Sequence, residues 1–141
     1  MSATNTSGKP NIGMEPKENR WTKVVYVAGP YKASNEYRTK NNIRMAEEVG
    51  TRLWYCGFIS YVPHLNTAFF RGAYGLEDDV WLNGHLVILR RCDLLVVLPG
   101  WEQSPGTIKE IKLAEELGIP IYYWANNFDR YKLEYYYEQA A

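Results

Sequence analysis

Four short apolar runs recur along the chain, and segments with helical periodicity separate them. The runs read KVVYVAGPY, FISYVPH, DLLVVLPG and IPIYYW, and each combines β-branched or aromatic residues with a glycine or proline. Such runs are typical of strands, whereas YRTKNNIRMAEEVGTRLWYCG, EDDVWLNGHLVILRRCD and PGTIKEIKLAEELG carry apolar residues at helical spacing. Because strands that alternate with helices pair in parallel, the sequence predicts a three-layer α/β domain. We expect a mostly parallel sheet of four to five strands with helices on both faces.

Length and composition predict one domain with a segment on either side of it. The chain has 141 residues, of which 46% are hydrophobic, which suffices for one core but not comfortably for two. Residues 1–20 have almost no large apolar side chains and are predicted to be a flexible tail. Residues 21–125 are the predicted α/β domain. Residues 126–141 contain too many aromatic side chains for a free tail, so we expect them to pack on the domain or on a partner subunit.

Charge and apolar content exclude two classes of partner. The formal net charge is zero and no long run of one sign occurs, which disfavours a nucleic-acid polymer. No apolar run approaches the roughly 20 residues that cross a bilayer, so no membrane partner is expected. Cys56 and Cys92 lie in apolar segments and the start of the chain has no signal region, so we expect a soluble protein in the reducing cytoplasm.

The predicted topology gives a map of candidate ligand contacts. In Rossmann- and flavodoxin-like sheets, ligands lie in the crevice outside the carboxyl ends of the strands. Three loops converge there, namely GPY after the first strand, PHLN after the second and GWEQSPGT after the third. The candidates they bring together are Gly29, Tyr31, His64, Asn66, Trp101, Ser104, Gly106 and Thr107, with Glu110 on the helix behind.

Four of these candidates also have a plainer structural explanation. Glu110 either interacts favourably with the positive end of the helix dipole or lies where a ligand would meet the free amides at the start of the helix. Ser104 caps a helix in any case, and a hydroxyl at a helix start also suits a phosphate. His64 either caps a turn or contacts a ribose or phosphate, and Tyr31 either stacks on a base or covers the sheet edge. Neither a dinucleotide fingerprint nor a Walker loop is present.

Several stretches together resemble a known family. YVAGPY, CDLLVVLPG and SPGTIKEIKLA are similar to the nucleoside 2-deoxyribosyltransferase superfamily, which includes nucleoside 5′-phosphate N-hydrolases. The resemblance runs from about residue 23 to residue 124, and the layout is closest to a branch found in phages and bacteria. It implies that Glu110 is the nucleophile and that Ser104, six residues earlier, binds a phosphate.

One position departs from the pattern of that superfamily. The resemblance implies an aspartate eight residues before Asp93, where it positions the sugar or protonates the leaving base, but His85 stands there. His85 either takes over the acid chemistry or is a core histidine without that role. The nearby Asp78 and Asp79 could supply a carboxylate instead. His64, His85 and Asp79 are ligand types for a metal, but their spacing has no recognised pattern and we predict no metal and no cofactor.

These observations favour an enzyme that cleaves or exchanges an N-glycosidic bond. We expect its substrate to be a small nucleotide or nucleoside and its intermediate to be a covalent glycosyl ester of Glu110, with His85 and Asp79 as further catalytic candidates. The alternatives are a nucleotide-binding module that has lost turnover and a purely structural protein whose crevice binds nothing. The aromatic C-terminal segment and the oligomers implied by the resemblance favour a homodimer or larger assembly.

Overall fold

The computed structural model describes residues 21–125, together with Lys132, Tyr135 and Glu138. The predicted flexible tail, residues 1–20, lies outside the described residues. So does the segment 126–141 apart from the three positions just named, and the homo-oligomer prediction that rests on it stays a prediction. In the part of the chain that is described, no helix combines the length and the apolar character needed to span a membrane.

The described domain alternates strands and helices as predicted. The strands are β1 (Val24–Ala28), β2 (Ile59–Tyr61), β3 (Leu94–Val97) and β4 (Ile121–Tyr123); the helices are α1 (Glu36–Tyr55), α2 (Pro63–Asn66), α3 (Asp78–Leu89) and α4 (Pro105–Leu117). All strand pairs are parallel, and the strand order is β2-β1-β3-β4. This is a flavodoxin-like order, and it confirms the predicted fold class.

The two faces of the sheet bury two separate groups of side chains. Alternate residues of a strand point to opposite faces, so Val25 and Val27 of β1 pack towards α1, while Tyr26 and Ala28 pack towards α3 and α4. The central strands β1 and β3 are almost wholly buried, as expected for a parallel sheet covered on both faces. The sheet with α1 on one face and α3 and α4 on the other forms three layers.

Local sequence signals explain where the helices that flank the ligand edge begin. The side chain of Asn35 accepts a hydrogen bond from the amide of Arg38 and starts α1. Ser104 starts α4 in the same way, and Pro105 follows at the first helical position, where it suits a helix best. Gly118 ends α4 with a φ of 71°, a left-handed conformation that favours glycine.

The segment PHLN after the second strand differs from its prediction as a loop. Residues Pro63–Asn66 form the one-turn helix α2. Pro63 occupies its first turn, where the missing amide hydrogen has no helical partner to lose. This turn draws His64 into the protein, where it is only 6% exposed.

The end of β1 is packed so closely that only glycine fits there. A Cβ atom on Gly29 would lie 2.7 Å from Cβ of Leu98. Leu98 cannot withdraw easily, because its amide donates to the carbonyl of Ala28 at 2.8 Å. The turn that leads from β1 into the ligand edge therefore depends on the absence of a side chain at position 29.

We predict that Gly29→Ala lowers the free energy of unfolding by about 1 to 3 kcal/mol, because it overpacks this junction. Gly84→Ala is the matched control. Gly84 lies exposed within α3 with no atom near its Cβ position, so alanine there should stabilise the helix by roughly 0.5 to 1 kcal/mol. Denaturant unfolding of both variants measures the difference. A Gly29→Ala protein as stable as the wild type would contradict the close packing.

Candidate functional site

A cleft of about 920 Å³ opens at the carboxyl ends of β1 and β3. The chain leaves β1 towards β2 and leaves β3 towards β4, in opposite directions, so the loops after these two strands part at this point. Ligands of open α/β sheets bind at such a switch point. Nine of the predicted site residues line the cleft: Gly29, Tyr31, His64, Asp79, His85, Ser104, Gly106, Thr107 and Glu110.

Two predicted substrate contacts lie elsewhere. The ring of Trp101 packs beside Tyr123, with 5.5 Å between the ring centroids, and does not line the cleft. Asn66 is exposed at the end of α2, and its amide donates to the hydroxyl of Tyr61 at 3.0 Å. The structure therefore does not bring these two side chains to the cleft wall.

Glu110 is a buried carboxylic acid at the base of the cleft. Its side chain is 6% exposed, and the hydroxyl of the fully buried Tyr26 donates a hydrogen bond to it. Burial raises the pKa of Glu110 from 4.5 to about 7, and the bond from Tyr26 partly offsets that rise. Burial, and then the neighbouring Glu110, raise the pKa of Tyr26, so the phenol stays protonated and acts as the donor. A group of this kind changes its charge near neutral pH.

The start of α4 carries a hydroxyl pair on the same wall. Ser104 Oγ lies 2.8 Å from Thr107 Oγ1 and accepts a hydrogen bond from the Thr107 amide at 3.3 Å. Ser104 therefore caps the helix and also lines the cleft. Gly106 lies between them with its amide at the helix start, a position that suits an anion.

His85 sits in a network of hydrogen bonds and is 8% exposed. Its Nδ1 is 2.8 Å from the hydroxyl of Tyr61, and its Nε2 is 3.1 Å from Oγ1 of Thr67. Burial, with a further contribution from the nearby His64, lowers the pKa of His85 below its ordinary 6.5. The imidazole is therefore mainly neutral at pH 7, with both ring nitrogens engaged.

His64 is also buried, and among residues 21–125 its Nδ1 finds no hydrogen-bond partner. Nε2 lies 2.8 Å from the carbonyl oxygen of Pro30, so this nitrogen carries the hydrogen and donates it. Burial lowers the pKa of His64, which keeps the ring neutral. The ring of Tyr31 meets it edge to face, with 5.6 Å between the centroids.

Charged side chains lie at the mouth of the cleft. Lys32 pairs with Asp78, and this bond lowers the pKa of that carboxyl group. Arg71 lies 3.8 Å from the same carboxylate, and Arg38 lines the mouth from α1. Asp79 follows Asp78 at the exposed start of α3. In the described residues, no group of three histidine, cysteine or acidic side chains could hold a metal ion.

Sequence reasoning missed several residues of this site. Tyr26 lies within an apolar strand, where a tyrosine is usually interpreted as a core residue. Its hydrogen bond to Glu110 becomes visible only when α4 packs on β1. Tyr61 and Thr67 have no motif and are recognised only through their contacts with His85. The cations at the mouth could have been suspected, because YKASNEYR begins directly after the first strand.

Comparisons with known proteins agree with this description. The crystal structure of a conserved protein from Enterococcus faecalis V583 matches with a TM-score of 0.51 and 21% identity, over 72% of this chain and 62% of that protein. This chain thus spans less than two thirds of that protein. A 2-deoxyribosyltransferase from Bacillus psychrosaccharolyticus matches with a TM-score of 0.53 and 19% identity, over 79% of this chain and 90% of the enzyme. No curated protein matches the sequence significantly.

At these identities the two structures show a shared fold, and the resemblance to the nucleoside 2-deoxyribosyltransferase superfamily is confirmed at that level. The sequence profile of the domain of unknown function DUF4406 matches residues 23–123, nearly the range over which the resemblance was predicted. The chain belongs to the DUF4406 family.

Proposed function

We propose that this protein cleaves or transfers the N-glycosidic bond of a nucleotide through a covalent ester of Glu110. The observation that carries the proposal is a carboxylic acid buried at the base of the cleft, held by Tyr26, with a pKa raised to about 7. Within the described residues Glu110 has no salt bridge, and a buried acid of this kind destabilises the fold when it ionises, so a functional explanation is favoured over a structural one.

The reaction follows from the position of that carboxylate. An oxygen of the ionised Glu110 forms a bond to the anomeric carbon, and the base leaves with the electron pair of the C–N bond and takes up a proton. Water then attacks the ester and gives hydrolysis, or a second base attacks it and gives transfer. Tyr26 donates to the carboxylate and orients it before the attack. His85 is the proposed proton donor to the leaving base.

A phosphate on the substrate would lie at the start of α4. The Ser104 hydroxyl and the Gly106 amide face a cleft whose mouth also carries Lys32, Arg38 and Arg71. Donors at a helix start and cations nearby both stabilise an anion. We therefore propose nucleoside 5′-monophosphates or deoxynucleotides as substrates.

The second candidate is a nucleotide-binding module without turnover. The contacts of His85 favour it, because both ring nitrogens are already engaged with Tyr61 and Thr67 and the pKa is lowered. Incubation with a panel of nucleoside monophosphates, followed by chromatography of the released bases, separates the two candidates. Base release supports the enzyme, whereas a thermal shift without base release supports the binding module.

We predict that Glu110→Gln abolishes base release but stabilises the protein at alkaline pH. The pKa of Glu110 is higher in the fold than in the unfolded chain, so the protonated acid favours folding. That stabilisation is complete below pH 4.5 and is lost as the pH rises through 7. Above pH 7 the ionised acid destabilises the fold by up to about 3 kcal/mol, and the neutral amide should recover about 1 to 3 kcal/mol of it.

Base release and denaturant unfolding at pH 5 and pH 8 measure both effects. Glu116→Gln, on the exposed face of the same helix, is the matched control and should change neither base release nor the pH dependence of stability. Retained base release in Glu110→Gln would refute the covalent mechanism.

We predict a bell-shaped pH profile of base release with its maximum below pH 7. Reaction needs ionised Glu110, whose pKa is about 7, and cationic His85, whose pKa lies below 6.5. The proton donor, His85, has a lower pKa than the nucleophile, Glu110. The state with cationic His85 and ionised Glu110 is therefore always a minority, and it is most populated between the two pKa values. His85→Asn should leave a slow release that rises through pH 7 and then stays level. If base release by the wild type also rises through pH 7 and then stays level, His85 is not the proton donor.

We predict that Ser104→Asp removes the preference for monophosphates while leaving the fold intact. Aspartate caps a helix as well as serine does, but its charge repels a phosphate at this wall. The kcat/KM for monophosphates should fall by about tenfold or more, and that for the matching nucleosides should change little. Ser104→Asn is the uncharged control of the same shape and should keep the preference. Equal losses for both substrate classes would argue against a phosphate at Ser104.

A further inference from the structure

Two buried polar atoms of the cleft wall have no hydrogen-bond partner. Within residues 21–125, Nδ1 of His64 and Nε1 of Trp81 are the side-chain atoms with this property, and both residues line the cleft. Buried polar groups are nearly always paired in folded proteins, so each exception calls for an explanation. Since both residues line the same cleft, a shared explanation is favoured over two separate defects.

The chemical character of the histidine atom follows from its other contact. Nε2 of His64 donates to the Pro30 carbonyl, so in the neutral ring Nδ1 carries a lone pair and can only accept. His64 is 94% buried, with 6% of its surface exposed, which disfavours the cation. This atom therefore requires a hydrogen-bond donor, which a base carbonyl or a fully ionised phosphate cannot provide.

The tryptophan atom has the opposite character. The indole Nε1 is a donor only, so it requires an acceptor such as a phosphate or carbonyl oxygen. Trp81 lies one helical turn before His85 on α3, and both residues line the cleft. Together the two atoms specify a ligand that offers a hydrogen-bond donor at one point and an oxygen acceptor at another.

Aromatic side chains pack against both rings. Tyr31 meets the His64 ring edge to face, and Phe70 meets the Trp81 ring edge to face with 5.8 Å between the centroids. Tyr31 is half-buried on the loop after β1 and Phe70 is 47% exposed, so either ring can turn aside by a side-chain rotation.

We propose that the cleft selects a nucleotide with an intact ribose, in which a sugar hydroxyl donates to Nδ1 of His64 and a ligand oxygen accepts from Nε1 of Trp81. The inference rests on the proposed function, which puts the sugar beside Glu110. The donors of a nucleotide are its sugar hydroxyls and, depending on the base, amino groups and ring N–H groups. The hydroxyls are assigned to His64 because they belong to the ring whose anomeric carbon must meet Glu110.

The test for His64 uses binding and not turnover. Calorimetry gives the Kd of a nucleoside monophosphate and of its 2′-deoxy and 3′-deoxy analogues, for the wild type and for His64→Gln. Glutamine keeps a donor for the Pro30 carbonyl but has no acceptor where Nδ1 lies. The wild type should bind the full ribonucleotide at least about tenfold more tightly than one deoxy analogue, because the deoxy sugar leaves a buried acceptor unpaired. In His64→Gln this difference should fall below about threefold.

The test for Trp81 uses Trp81→Phe, which removes the indole donor but keeps an aromatic ring. We expect the Kd of all three nucleotides to rise by about tenfold without a fall in melting temperature, because the lost donor had no partner in the free protein. Trp54→Phe, on exposed α1 outside the cleft, is the matched control and should leave the Kd unchanged. A lower melting temperature with an unchanged Kd would show that Trp81 is only a packing residue and would overturn its part of the inference.

Other outcomes overturn the inference in distinguishable ways. If the wild type binds all three sugars within about twofold, or if His64→Gln keeps the wild-type difference, a sugar hydroxyl does not meet His64. If affinity across nucleoside monophosphates with different bases follows the amino or ring N–H groups of the base and not the sugar, the donor is the base. In these cases nucleotides still bind and the proposed function stands. If no nucleotide binds and no base is released, the proposed function fails together with this inference.

Discussion

The arrangement of the cleft depends on one hydrogen bond across the interior, from the hydroxyl of Tyr26 to the carboxyl group of Glu110. Tyr26 lies in the central strand β1 and Glu110 lies in α4. The bond therefore joins the sheet to a helix whose first turns line the cleft. It supplies the buried acid with a donor, which lessens the cost of removing the acid from water. The Ser104 cap and the left-handed Gly118 fix the two ends of the same helix. The carboxyl group is thereby held at the base of the cleft.

The sequence was sufficient to predict the sheet and its helices, because the period of apolar residues carries that information. Runs such as DLLVVLPG can be buried on both faces only as central parallel strands, and their order leaves little choice of topology. The short helix α2 was missed, since four residues carry no periodicity and Pro63 is equally common in turns. The consequence is local but important, because that helix turn determines that His64 is buried and points its Nε2 at the Pro30 carbonyl.

The candidate site was predictable at the level of loops but not of side-chain directions. The rule for open sheets places the loops after β1 and β3 at one edge, and nine of the predicted residues do line the cleft. Trp101 lies on the right loop, but its ring packs beside Tyr123, and no pattern in the sequence distinguishes these two directions. Tyr26 was missed because a tyrosine within VVYVA fits the pattern of an apolar core. Its hydroxyl finds the Glu110 carboxyl group only when α4 packs on the strand.

Burial shifts the pKa of the acid and the pKa values of the histidines of the cleft in opposite directions, and both shifts favour the uncharged form. It raises the pKa of Glu110 to about 7 and lowers the pKa values of His64 and His85, so near neutral pH the base of the cleft carries little charge. The permanent charges lie at the mouth, where Lys32 and Arg71 approach Asp78. A chain of zero net charge can thus still receive an anion, because attraction depends on the local field and not on the total. A phosphate would be met by cations at the entrance and would approach an acid that is half protonated at pH 7. That acid would repel it less than a carboxylate of ordinary pKa.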